Sequence, residues 1–189
     1  MESIALSRLE KRILNLGILG KVTLTLMFVL ITALSSKVKV VLPFSPVPIT
    51  LQTFSVILSG IVLKEFGAFS QVIYLVLGIL GLGLFANGGG VNYVFSPTFG
   101  YVVGFVFASY IAGYFTKRYS NSRMLILGLI IANLAIYVPG LLWLYVVLSK
   151  GGNAVSLQYI LSIGFLPFVI GDILKIFASL GFARAIKRI

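Results

Sequence analysis

Six apolar runs, separated by short stretches that hold nearly all the charge, dictate what this chain can become. They cover residues 18–36, 50–63, 66–85, 98–118, 124–148 and 159–183. Roughly 20 helical residues cross the hydrocarbon core of a bilayer, so six helices account for nearly the whole chain. Of 189 residues, 59% are hydrophobic and 10% charged, with a mean hydropathy of +1.11, far from the balance of a soluble domain. The chain reads as an all-α integral membrane protein, a bundle of six transmembrane helices in a single domain over residues 1–189. No internal repeat divides it into related halves. The basic flank, short run and Ala33-Leu34-Ser35 at its start have the outline of a signal peptide, but five further spans favour a retained first helix.

The net charge of +11 does not point to nucleic acid, because the bases are spread between spans instead of gathered on one face. They act instead as topology signals. With the N-terminus cytoplasmic, the inner segments hold Arg8, Lys11, Arg12, Lys21, Lys64, Lys117, Arg118, Arg123, Arg184, Lys187 and Arg188, and the outer ones only Lys37, Lys39 and Lys150. Eleven against three predicts both termini inside. Two distinctive loops then share the outer face. Pro43, Pro46 and Pro48 forbid helix through one of them, because proline lacks an amide donor and disfavours helix in the residue before it. Its apolar content makes it an ordered cap. The other is glycine-rich, Ala86-Asn87-Gly88-Gly89-Gly90-Val91-Asn92-Tyr93.

Against this background two residues stand out. Asp172 is the sole acid within any span, and Lys175 the sole base away from a span's ends. An ionisable group at membrane depth costs at least a few kcal/mol and normally faces a partner, a cavity or a ligand. At i and i+3 the two share a helix face. Either they neutralise each other or they form the floor of a polar pocket. Pro167 suits a helix's first turn, so the last span is expected to break there and set Asp172 in the outer half, beneath both loops. Gln52, Gln71, Asn87, Asn133 and Tyr137 lie in or beside spans, where an interhelical hydrogen bond worth about 0.6 kcal/mol is the ordinary role. Asn87 differs in standing beside three glycines, which permit close backbone approach. Small residues at Gly100, Gly104, Ala108 and Ala112 give the fourth helix a flat groove, expected to pack within the bundle.

Other chemistries find little here. Without cysteine or histidine the commonest thiolate and imidazole ligands and bases are missing, and no Gly-x-x-x-x-Gly-Lys-Ser/Thr cradles a nucleotide. A single intramembrane carboxylate lacks the second positioned group that acid–base catalysis needs. No catalytic residue, metal site or cofactor is expected.

Pro43-Phe-Ser-Pro46-Val-Pro48-Ile-Thr50-Leu-Gln52-Thr53 closely resembles the signature of the BioY family, the biotin-specific substrate-binding (S) components of energy-coupling factor (ECF) transporters. The resemblance continues through Gly67-Ala-Phe-Ser-Gln71-Val-Ile-Tyr74-Leu75, Gly78-Ile-Leu-Gly81, Ser96-Pro97-Thr98-Phe99-Gly100-Tyr101 and Gly171-Asp172-Ile-Leu-Lys175. Ser96, Gly83 and Ile170 depart from residues usual in the family, and Val29 before Ala33 replaces an alanine of its common coupling contact. The resemblance implies a six-helix bundle in a prokaryotic cell membrane that captures biotin from outside. It would work with a transmembrane coupling subunit and two ATPase subunits. It points to Asp172, Lys175 and Asn87 as polar contacts, with Gln52 and Tyr93 completing the candidate set. Asp172, acceptor only, suits a ureido N–H, and Lys175, donor only, suits the ureido carbonyl. An S component for thiamine or riboflavin is the nearest alternative. An intramembrane enzyme and a ligand-free scaffold are the readings from other classes.

Overall fold

The computed structural model describes residues 16–150 and 155–188; Arg8, Lys11, Arg12 and the expected turn Gly151-Gly152-Asn153 lie outside them. Helix α1 (Ile18–Lys37) leads into a hairpin of β1 (Lys39–Val40) and β2 (Ile49–Thr50). Then come α2 (Gln52–Leu63), α3 (Phe66–Ile79), α4 (Phe99–Arg118), α5 (Ser122–Ser149), α6 (Leu157–Gly164) and α7 (Val169–Arg188). The hairpin is antiparallel, pairing Lys39 with Thr50 and Val40 with Ile49. All six expected helical segments are present in order, with α6 and α7 as one broken span.

Large apolar side chains cover the outer surface, and the interior holds polar groups beside its apolar core. Leu19, Leu30, Leu34, Leu142, Ile170, Leu174 and Phe177 are exposed, while Thr32, Ser59, Ser70, Gln71 and Ser109 have no exposure at all. Several of the inner polar groups bond across helices, which offsets the cost of burying them away from water. Gln71 Nε2 lies 3.1 Å from Ser59 Oγ and 3.4 Å from Thr32 Oγ1, and the Ser59 and Ser109 hydroxyls are 2.8 Å apart. This seam ties α1, α2, α3 and α4 together.

Helix α4 is the hub, packing on α2, α3 and α5. Its small-residue stripe does lie within the bundle. A Cβ on Gly100 would stand 2.2 Å from the Pro139 carbonyl oxygen of α5, and one on Gly104 would stand 2.7 Å from the Ile136 backbone. Ala108 and Ala112 are fully buried further along.

Four segments are long and apolar enough to cross a membrane: Ile18–Lys37, Phe99–Arg118, Ser122–Ser149 and Leu157–Lys187. Helices α2 and α3, with 12 and 14 residues, each rise only about 20 Å. The third helix therefore stops short of the expected Phe85. Gly81 and Gly83 take φ values of 99° and 64°, a region open to glycine and disfavoured for other residues. The chain turns back there, and the Phe85 ring settles where a Cβ on Gly78 would sit 2.1 Å away. Leu80 to Phe85 is an apolar run that folds as a loop.

Candidate functional site

The proline-rich segment and the glycine-rich loop close over one cavity, which encloses about 540 Å³ of unfilled space counted to its open mouth. The hairpin segment contributes Val47 and Pro48, the loop contributes Ala86 and Tyr93, and α4 and α5 supply Tyr101, Val102, Phe105 and Ile136. Ser45 anchors the hairpin segment by donating from its hydroxyl to the Ile163 carbonyl at 2.7 Å. The proline-rich loop is thus an ordered cover, as its composition implied.

The polar corner depends on how the last span breaks. A single 3-10 turn over Leu166–Phe168, with Pro167 in its first turn, separates α6 from α7. The break starts a new helix inside the bundle, and Asp172 falls in its first turn, where the positive end of the helix dipole favours an anion. Lys175 follows one turn later, its Nζ 3.4 Å from Asp172 Oδ1 and donating to Thr53 Oγ1 at 2.9 Å. Tyr137 of α5 donates to the other carboxylate oxygen, Asp172 Oδ2. Its ring meets Phe165 edge-on at 4.8 Å and Tyr101 at 6.0 Å. Tyr101 is in turn fixed by donating to the Gly164 carbonyl at 2.9 Å. The aromatic residues around the break therefore aim the phenol at the carboxylate.

Of the sequence-derived candidates, Asp172, Lys175, Gln52 and Tyr93 all line this cavity. Gln52 is tied into a chain, accepting from Thr50 Oγ1 at 3.2 Å and donating to Tyr74 at 2.6 Å; Tyr74 donates to the Leu84 carbonyl at 3.0 Å. Tyr93 shares a 2.7 Å hydrogen bond with Thr98, and burial pushes its phenol above the ordinary tyrosine range, so it serves as a neutral hydroxyl. Asn87 is exposed and outside the lining, its Oδ1 accepting from Lys39 Nζ at 2.8 Å. Its neighbour Ala86 does line the cavity.

Sequence reasoning passed over Thr53, and it named Tyr137 as a polar group that could join the pocket without linking it to Asp172. Thr53 closes the proline-rich motif, which was the available signal. Tyr137 lies 35 positions from Asp172, and no local pattern links the two. Among the described residues no group of three or more acidic, cysteine or histidine side chains could hold a metal.

The BioY family profile matches residues 7–189. A probable biotin transporter BioY from Lysinibacillus sphaericus is 34% identical over 167 residues, covering 86% of this chain and 84% of the relative. One from Pyrococcus horikoshii is 37% identical over 159 residues, covering 82% and 88%. The biotin transporter BioY of Thermotoga maritima is 31% identical over 150 residues, covering 78% and 85%. The fold resembles the crystal structure of the S-component for biotin from an ECF-type ABC transporter, with a TM-score of 0.77 at 21% identity over 90% of this chain and 92% of that one. The apolar-surfaced helical bundle, the roofed cavity and a family match spanning nearly its whole length agree: this chain belongs to the BioY family.

Proposed function

We propose that this protein is the substrate-binding S component of an ECF-type transporter, a single membrane domain that captures biotin at the outer face of a prokaryotic cell membrane. The observation that carries the reading is the cavity itself, with apolar walls, one charged corner and a roof of two loops. Biotin pairs an apolar bicycle with a ureido head and a carboxylate tail, and the corner offers an acceptor beside a donor. In the proposed pose Asp172 takes a ureido N–H, Lys175 donates to the ureido carbonyl, and the tail lies toward the loops. A charge is best left where water reaches it. Gln52 and Tyr93 line the same space, and Asn87 stands on its rim.

Both termini are cytoplasmic in this reading, because eleven bases flank one side and three the other. Binding needs no cofactor. The chain carries no nucleotide-binding motif, so energised uptake falls to a transmembrane coupling subunit and two ATPase subunits. The test is to purify the protein in detergent from cells grown with biotin, thiamine and riboflavin, denature it, and identify released small molecules by mass spectrometry. Biotin at near-stoichiometric yield is expected. Another vitamin in its place, or none together with no binding on titration, would refute the assignment.

A further inference from the structure

Resting on the biotin reading above, we propose that Tyr137 makes this site select a urea over a guanidine. The edge of a cyclic urea presents a donor N–H beside an acceptor C=O. The corner is its complement, with the Asp172 carboxylate as acceptor and Lys175 Nζ as donor, 3.4 Å from Oδ1. A guanidinium edge presents two parallel donors instead, and binds best to a carboxylate that offers both oxygens as a fork. Asp172 is a poorer fork, because the Tyr137 phenol takes one of the two lone-pair directions of Oδ2. The carboxylate cannot easily turn to free that oxygen. Tyr137 is held by the edge-on rings of Phe165 and Tyr101, and Thr53 holds Lys175 from the other side at 2.9 Å. Tyr137 is thus a positioning residue that fixes which oxygen faces the ligand.

The test compares biotin with 2-iminobiotin, its guanidino analogue, in the protonated form. Titration calorimetry on the detergent-purified full chain gives Kd for each ligand with wild type, Tyr137→Phe and Tyr110→Phe. Tyr137→Phe keeps the ring and its packing while removing the donor. Biotin affinity should fall about ten-fold or more, the effect of losing a hydrogen bond to a charged group. Affinity for 2-iminobiotin should fall less or rise, so the ratio of the two shifts at least about ten-fold. Tyr110→Phe also loses a hydroxyl, from an exposed tyrosine of α4 outside the cavity lining, and should leave the ratio unchanged. Equal losses for both ligands in Tyr137→Phe, no loss in either, or the same ratio shift in Tyr110→Phe would overturn the proposal. So would wild-type protein that binds the guanidino analogue as tightly as biotin, an arm that needs no variant to fold. Wild-type protein that binds neither ligand removes the biotin reading itself, a result distinct from an unshifted ratio.

Discussion

Separating the binding role of the Asp172–Lys175 pair from its structural role takes three variants read in two assays. Both side chains are nearly buried, 8% and 13% exposed respectively. Lys175→Met leaves the Asp172 carboxylate with the Tyr137 phenol and the helix terminus but no countercharge. Asp172→Asn leaves the Lys175 ammonium with Thr53 alone among its two hydrogen-bond partners. Breaking a buried pair from one side costs about 3–5 kcal/mol. At about 2–4 °C per kcal/mol for a chain of this size, each single variant should melt about 6–20 °C below wild type. The double variant removes both charges and should recover most of that loss, because an ion pair replaced by neutral groups of similar volume is often no less stable. Binding behaves differently. Two hydrogen bonds to charged groups, at about 1.5–3 kcal/mol each, amount to roughly a hundred-fold to ten-thousand-fold in Kd. Thermal unfolding in detergent reads the first quantity and calorimetric titration of biotin the second. A double variant that melts near wild type but binds at least about a hundred-fold more weakly is the expected result. Wild-type affinity in the double variant would remove both residues from the site. Single variants that melt with wild type would show that the pair is not energetically coupled.

Further expectations follow from the packing and the charge distribution. Phe44→Cys should react with an impermeant thiol reagent on intact cells and Ser120→Cys should not, since the reverse pattern inverts the topology. Phe44 is the better probe of the hairpin because Ser45 is buried against Ile163. Gly100→Val should destabilise the protein by about 1–3 kcal/mol, the usual effect of overpacking, because the added Cβ meets the Pro139 oxygen at 2.2 Å; an unchanged melting temperature would refute the close α4–α5 contact. Cells that express this chain without ATPase partners should bind labelled biotin without concentrating it rapidly, and ATP-driven accumulation in them would contradict the division of labour.

Much of the bundle could be read from residue order alone, for identifiable reasons. Three prolines within six residues leave helix no room and a proline suits a helix's first turn, so the cover formed by Pro43 to Pro48 and the break at Pro167 were both legible, although Pro139 is carried inside α5 without ending it. The break located Asp172 in a first turn, and the scarcity of charge inside spans singled out Asp172 and Lys175. Leu80 to Phe85 misled because an apolar run looks the same whether it faces lipid in a helix or fills a core as a loop. The decisive facts there are the positive φ at Gly81 and Gly83 and the Phe85 ring lodged against Gly78, which are tertiary. Asn87 attracted notice through its neighbouring glycines, yet its side chain answers to Lys39 on another element. The Tyr137 contact was invisible for the same reason, since it depends on two helices meeting at one depth.

The lysines that end α1 and begin β1 have a consequence for how the roof tolerates change. Lys37 Nζ donates to the carbonyls of Gly83 and Phe85 at 2.7 and 2.9 Å, and Lys39 Nζ to that of Ala86 at 2.7 Å. These ammonium groups grip chiefly the path of the main chain, Asn87 Oδ1 being a side-chain acceptor of Lys39. Every amino acid brings the same carbonyl, so substitutions at exposed loop positions such as Leu82 leave the grip intact, whereas loss of either lysine loosens the loop, with Ser36 of α1 still donating to the Leu84 carbonyl at 2.8 Å. The outer rim can in this way vary in chemistry while keeping its shape, a fixed frame around an interchangeable surface.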